Sequence, residues 1–107
     1  MFTIYAFDEV SSTNDVLKQQ YHIYQDHSVI LAHKQTKGRG RFDRVWESQE
    51  DLTFSILLKN NYPNELIAPL SVVFALKQYG IQTSVKWPND ILIHGKKLCG
   101  ILIESIY

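Results

Sequence analysis

One short segment of the sequence gathers positive charge around glycines. Residues 36–46 read TKGRGRFDRVW, whereas the formal net charge of the whole chain is +0. The cluster is therefore local and does not belong to a generally basic surface. Gly38 and Gly40 let main-chain N–H groups approach a ligand, and arginine side chains offer forked donors suited to phosphate or carboxylate. The segment predicts an anion-binding loop, whose basic residues are Lys37, Arg39, Arg41 and Arg44.

Two other interpretations of this loop stay open on the residues alone. A solvated basic turn between two strands has the same composition, and a nucleic-acid contact would use the same arginines. Trp46 could stack on a base or simply close a core. The loop matches neither of the two glycine-rich nucleotide-binding fingerprints, because Phe42, Asp43 and Arg44 follow Arg41. The balanced charge of the chain disfavours the nucleic-acid interpretation.

A second group of candidate residues lies in residues 85–104, VKWPNDILIHGKKLCGILIE. Lys97 begins an apolar run, where a lysine either extends to solvent or faces an anion in a cavity. A charge that discourages edge pairing is the alternative. Asn89 and Asp90 follow Pro88, and the same residues would also serve as plain turn formers.

A third group, SSTN at residues 11–14, is typical of a helix cap. Capping uses one hydroxyl and leaves the other hydroxyl and the Asn14 amide to bind a polar ligand. The four histidines are scattered, and Cys99 lies between Leu98 and Gly100 as a small core residue. We therefore expect neither a zinc site nor covalent nucleophilic catalysis.

The spacing of apolar residues predicts the elements that must hold these groups. Alternation predicts strands over residues 2–8 and 52–59, and a short apolar run with β-branched residues predicts a strand over residues 28–34. Extended structure is expected over residues 82–87, followed by a hairpin of ILIH and KLCGILIES joined by a Gly95-Lys96 turn. Helical spacing predicts one helix from Ser11 or Ser12 to about residue 25, and a second from Glu65 or Pro69 to Tyr79. Gly80 is its stop, and Pro69 suits the first turn better than the interior. The order β α β loop β α β β β predicts an α+β fold with a mostly antiparallel or mixed sheet.

Length and composition limit the class of protein. The chain has 107 residues, 45% hydrophobic and 21% charged, which is ordinary for one soluble domain at most. Its apolar runs are too short to span a membrane, and no signal peptide follows Met1. One cysteine cannot form an internal disulfide. We expect a cytoplasmic protein that does not enter a membrane.

Taken in order, these motifs resemble the signatures of the biotin protein ligase family, the biotin–[acetyl-CoA-carboxylase] ligases. SSTN at 11–14 is followed by QTKGRGR at 35–41, then KWPND at 86–90 and KLCGIL at 97–102. A lone GRGR is weakly specific, but the whole series covers nearly the entire chain and is highly specific. Trp46, Ser48 and Glu104 match the same signatures.

The resemblance implies a fold and a reaction. The fold is a mixed, mostly antiparallel sheet with helices packed on one side, like the class II aminoacyl-tRNA synthetase catalytic domain. The implied reaction joins biotin and ATP into biotinoyl-5′-AMP and then transfers biotin to a lysine of a biotin carboxyl carrier protein. ATP and Mg²⁺ are the implied cofactors, and a homodimer is implied by the resemblance alone.

The resemblance also implies the site residues. The implied catalytic residues are Lys97, Arg39 and Arg41, which would neutralise charge on the carboxylate and the phosphate. Asp90 would lie near the ligand or the metal. The residues implied in binding biotin or its adenylate are Ser12, Thr13, Asn14, Gln35, Gly38, Arg39, Gly40, Arg41, Trp46, Lys97 and Gly100. Those implied in binding ATP are Arg39, Arg41, Trp46, Asn89, Asp90 and Lys97.

Departures from the family set further expectations. Asp43 stands where many members carry glycine, which places an acid beside the arginines. No winged-helix region precedes Ser11, so we expect no DNA binding. We expect residues 1–107 to be the N-terminal part of the catalytic domain, without its C-terminal part or the small β-barrel domain. The alternatives are a lipoate or octanoate ligase or transferase, and a non-catalytic biotin-binding fragment.

Overall fold

A computed structural model of the chain describes residues 1–40, 51–60 and 64–106. The described elements are β1 (Thr3–Val10), α1 (Thr13–Gln20), β2 (Ser28–Gln35), β3 (Thr53–Ile56), α2 (Asn64–Lys77), β4 (Ser84–Lys86), β5 (Asp90–Ile93) and β6 (Lys96–Gly100). This is the predicted order, and the α+β class is confirmed. The chain divides into a first compact unit, Met1–Asn61 with Ile106–Tyr107, and a second, Tyr62–Ser105.

The first unit is built on a mixed three-stranded sheet with the order β1-β2-β3. β1 and β2 run parallel, with Thr3 opposite Ser28, and β3 is antiparallel to β2, with Ser55 opposite Ile30. Parallel neighbours need a crossover connection, which α1 provides. The helix packs against β2 and β3 around a core of Leu17, Ile30 and Leu57.

The first helix is shorter than its sequence predicts. Ser12 caps its start as expected, but the helix ends at Gln20 and not near residue 25. Tyr21 and Ile23 are exposed, so continuing the helix would bury nothing further on that face. The chain instead turns, and the Tyr24 and Tyr5 rings make an edge-to-face contact with their centroids 5.0 Å apart.

The second helix begins at Asn64, next to the first of its two predicted starts, and it departs from expectation in the place of Pro69. Pro69 was expected in the first turn, but it lies inside α2, where its side chain is fully buried. Burial of the ring offsets the backbone hydrogen bond that proline cannot make.

The end of α2 follows expectation. Gly80 has φ +77°. The Gly80 N–H bonds to Lys77 O at 3.0 Å, and the Ile81 N–H bonds to Leu76 O at 3.1 Å. This Schellman motif confirms Gly80 as the stop.

The second unit contains an antiparallel sheet with the order β4-β5-β6, against which α2 packs. The predicted hairpin joins β5 to β6, but its turn is His94-Gly95, one residue before the predicted pair. Both residues have positive φ, 51° and 75°, as a type I′ turn requires. The Trp87–Pro88 peptide that precedes β5 is cis. In the described ranges, no helix has the length and apolar character needed to cross a membrane.

Candidate functional site

Four polar side chains contact one another where α1 begins, with the helix cap Ser12 next to them in sequence, and we call the five the polar cluster. Its members are Ser12, Thr13, Asn14, Gln35 and Ser55. They come from the start of α1, the last residue of β2 and the middle of β3. The packing of α1 on β2 and β3 therefore assembles four predicted binding residues with one that was not predicted.

Ser12 is the N-cap of α1. Its Oγ accepts a hydrogen bond from Asp15 N at 3.3 Å, and its carbonyl accepts one from Val16 N at 3.1 Å. The side chain is buried. The capping interpretation of this residue is thus confirmed, since its hydroxyl satisfies a donor of the first helical turn.

Thr13 and Gln35 form the centre of the polar cluster. Thr13 N donates to Gln35 Oε1 at 2.8 Å, and the Thr13 hydroxyl lies 3.2 Å from the same oxygen. Thr13 is only 3% exposed. The buried backbone N–H of Thr13 thereby finds a partner without water, as buried polar groups require.

Ser55 is the member that the sequence did not reveal. Its Oγ lies 2.6 Å from Thr13 Oγ1 and donates to Asn14 Oδ1. Alternation along β3 turns Ser55 to the same face as Leu57, a core residue beneath α1. A lone hydroxyl at a core-facing position of an apolar strand is the signal that would have marked it.

The glycine loop begins beside this cluster. Thr36 N bonds to Val10 O at 3.0 Å and Lys37 N to Ser11 O at 2.7 Å, which continue the β1-β2 pairing into the loop. Gly38 is buried. The Arg39 guanidinium forms an ion pair with Asp15, with Nη2 and Oδ1 2.8 Å apart. Asp15 was not predicted as a partner, and Arg41, Asp43, Arg44, Trp46 and Ser48 lie outside the described residues.

In the second unit, Lys97 and Asp90 form an ion pair with Nζ and Oδ1 3.1 Å apart. Ile91 pairs with Cys99 but Leu92 pairs with Lys97, so β6 carries one extra residue here, a β-bulge. Lys97 opposite Leu92 shares a face with Asp90, two residues earlier on β5. The side chains are 44% and 27% exposed, so both remain accessible.

Asn89, Gly100 and Cys99 surround this pair. The Asn89 side chain donates to Ile101 O at 2.9 Å, and Ile101 N donates to Asn89 O at 2.9 Å, which fixes the turn to the strand end. Gly100 lies opposite Asp90.

Burial raises the pKa of the Cys99 thiol. The positive charge of Lys97 opposes this rise in pKa, and the negative charge of Asp90 adds to it. The neutral thiol fits the predicted role as a packing residue. Among the described residues, no cluster of three His, Cys, Asp or Glu side chains could hold a metal ion.

The arrangement belongs to a known family. The family model described as "Biotin/lipoate A/B protein ligase family" matches residues 6–107. The chain belongs to this family. That range contains the polar cluster, the glycine loop and the Lys97–Asp90 pair.

Individual members of the family are similar over much of this chain. The bifunctional ligase/repressor BirA of Bacillus subtilis is 46% identical over 86 residues, which is 72% of this chain and 26% of that protein. The biotin–[acetyl-CoA-carboxylase] ligase of Paracoccus denitrificans is 35% identical over 86 residues, 71% of this chain and 36% of that protein. The chain therefore spans about a quarter to a third of these curated relatives.

Solved structures agree with the fold. The biotin protein ligase from Aquifex aeolicus, in complex with biotin and ATP, superposes with a TM-score of 0.87 and 38% identity, covering 99% of this chain and 48% of that one. The biotin acetyl coenzyme A carboxylase synthetase from Helicobacter pylori, with bound biotinylated ATP, gives a TM-score of 0.80 and 29% identity, covering 98% of this chain and 56% of that one.

Proposed function

We propose that the chain carries the biotin site and the activating residues of an ATP-dependent biotin protein ligase. The observation that carries the proposal is the polar cluster, which sets hydroxyl and amide groups of Thr13, Asn14 and Gln35 directly beside the start of the glycine loop. The two relatives solved with biotin and a nucleotide support the same assignment.

The polar cluster suits the ureido ring of biotin. A ureido group has one carbonyl acceptor and two N–H donors, and it binds tightly only where each finds a partner away from water. Thr13 supplies a buried hydroxyl, while Asn14 and Gln35 supply amides that contain both donors and acceptors. The ligand would therefore exchange its hydrogen bonds with water for hydrogen bonds with this cluster.

The basic residues suit the first chemical step. The carboxylate of biotin attacks the α-phosphorus of ATP, and pyrophosphate leaves as biotinoyl-5′-AMP forms. Two anions must approach, so preorganised cations lower the barrier. Arg39 and Arg41 would bind carboxylate and phosphate through their forked donors. Lys97 would donate to the carboxylate and to a non-bridging phosphate oxygen.

Mg²⁺ fits this site only as an ion that arrives on the nucleotide. Such ions use one or two carboxylates plus phosphate oxygens, and Asp90 offers one carboxylate in the described part of the second unit. Bound there, the ion would neutralise charge on the departing pyrophosphate. Asp90 would hold the ion, and Lys97 would keep its separate role as a donor to the carboxylate and the phosphate oxygen.

The second step would consume the adenylate. The ε-amine of a lysine on a biotin carboxyl carrier protein attacks the carbonyl of the mixed anhydride, an amide bond forms, and AMP leaves. The carrier protein is the proposed partner because the product of the first step is an acyl donor that an amine readily attacks.

The proposal is tested by titrating the chain calorimetrically with biotin and with lipoate, and then by measuring biotin-dependent exchange of labelled pyrophosphate into ATP with Mg²⁺. We expect biotin to bind and lipoate not to bind. We expect Lys97→Ala to slow exchange by about a hundredfold or more while biotin affinity changes much less, because Lys97 acts on the developing charge.

Lys96→Ala is the matched control. Lys96 neighbours Lys97 on β6, is exposed, and pairs with Ile93 next to the hairpin turn. It should leave exchange unchanged. Equal losses in the two variants would reject the role of Lys97, and binding of lipoate without biotin would reject the choice of substrate.

A further inference from the structure

The polar cluster contains two hydroxyl groups whose protons can be assigned by counting. Each hydroxyl has one proton to donate and lone pairs to accept. Ser55 gives its proton to Asn14 Oδ1. The 2.6 Å contact between Ser55 and Thr13 must therefore use the proton of Thr13.

One other contact competes for the Thr13 proton, and its length decides between the two. Gln35 Oε1 carries no proton and already accepts from Thr13 N at 2.8 Å. The Thr13 hydroxyl lies 3.2 Å from that oxygen, farther than from Ser55. The shorter contact takes the proton, so hydrogen bonds run in one direction from Thr13 to Ser55 to Asn14.

We propose that Ser55 is a positioning residue that fixes the hydrogen-bond polarity of this site. By accepting the Thr13 proton, it leaves Thr13 Oγ1 with lone pairs only toward a ligand, so that Thr13 accepts from a ligand N–H and rejects a ligand oxygen. This inference rests on the proposed function, in which the ligand N–H belongs to the ureido ring of biotin. It adds a source of selectivity outside the helix cap and the glycine loop.

The sheet explains why Ser55 can hold this position. Ser55 pairs with Ile30, which is fully buried, and it lies two residues from Leu57 on the face that α1 covers. Strand pairing fixes its backbone, and α1 limits its side chain from above. A hydroxyl held on a rigid strand can fix the direction in which a neighbouring O–H bond points, whereas a hydroxyl in solvent cannot.

The test compares biotin with its two cyclic carbamate analogues, in each of which one ring N–H is replaced by oxygen. Affinities are measured calorimetrically for the wild-type chain, Ser55→Ala and Ser55→Thr. In the wild type, one analogue should bind roughly tenfold to a hundredfold more weakly than biotin, because its ring oxygen faces the lone pairs of Thr13. In Ser55→Ala this ratio should shrink by at least about fivefold, since the Thr13 hydroxyl can then turn its proton to the ring oxygen.

Two variants separate positioning from general damage. Ser55→Thr keeps the hydroxyl and should restore the wild-type ratio. Thr53→Val is the matched control: Thr53 lies on the same strand and face, opposite Ala32, and should leave the ratio unchanged. A purely structural role would weaken all three ligands equally.

The outcomes distinguish this inference from the function on which it rests. If the wild-type chain binds biotin but its analogue ratio is the same in Ser55→Ala, the role of Ser55 is wrong and the biotin site stands. If the wild-type chain binds neither biotin nor the analogues, the proposed function fails in this chain and the inference fails with it.

Discussion

Asp15 gives Arg39 a carboxylate partner within the protein itself. The two side chains are 29% and 19% exposed, so the ion pair is partly shielded from water. Any ligand anion that binds Arg39 must share or replace this carboxylate. The pair therefore orients the guanidinium before a ligand binds. It also means that a ligand anion must interact with Arg39 more favourably than the Asp15 carboxylate does.

A double-mutant cycle of Asp15→Asn and Arg39→Gln measures this pair directly. We expect a coupling free energy of about 1 kcal/mol in urea unfolding, at the upper end for ion pairs near a surface. The cycle removes the separate effect of an acid in the first turn of α1. The coupling should fall in about 1 M salt because exposed charges are screened.

The Glu9–Lys34 pair provides the control for that cycle. Its charged atoms are 3.6 Å apart, and its side chains are 56% and 57% exposed. Glu9→Gln and Lys34→Gln should couple by no more than a few tenths of a kcal/mol. If both pairs couple equally, the shielding of Asp15 and Arg39 has no energetic consequence.

Among the elements, those set by local chemistry were predictable from the sequence. The short apolar run SVILAHK with its β-branched residues predicted β2, and Gly80 predicted the end of α2, because each signal acts within a few residues. The end of α1 and the interior position of Pro69 were not predictable, since burial against the sheets decided both. Ser55 was missed for the same reason: its partners lie 41 and 42 residues away.

Gly80→Ala tests whether the end of α2 depends on backbone conformation alone. A Cβ at this position would have no atom within 4 Å, so the substitution introduces strain at φ +77° without a clash. We expect a loss of about 1 kcal/mol in the free energy of unfolding, measured in urea. Gly80→Asn should lose less, because asparagine tolerates this conformation better. Two variants as stable as the wild type would show that the helix end does not need a left-handed residue.

For the whole molecule, the partly buried thiol of Cys99 predicts a stability that falls in alkali. The pKa of Cys99 is raised above its ordinary value of 9.0 in the folded chain. The folded state therefore holds the proton more tightly than the unfolded state, and this contribution is complete below the unfolded pKa. It is lost as the pH rises toward and through the folded pKa.

Cys99→Ala should weaken this alkaline loss. The free energy of unfolding is compared between about pH 8 and about pH 10, either side of the ordinary thiol pKa. Lysine and tyrosine titrations contribute equally to both proteins, so the difference between the two slopes isolates Cys99. Cys99→Ser, which also lacks a thiol, should behave like Cys99→Ala. Parallel slopes in wild type and variants would contradict the raised pKa.

The separation along the chain between the members of the polar cluster also fixes an order of folding. The β5-β6 hairpin closes through His94 and Gly95 alone, and hairpins form in about 1–10 μs. The polar cluster instead requires Gln35 and Ser55 to reach Thr13 across 22 and 42 residues, which costs more loop-closure entropy. We expect the hydroxyl network to be completed late, after β1, β2 and β3 are in register. A chain halted earlier in folding would contain the hairpin but could not recognise the ligand, so ligand binding reports a fully folded first unit.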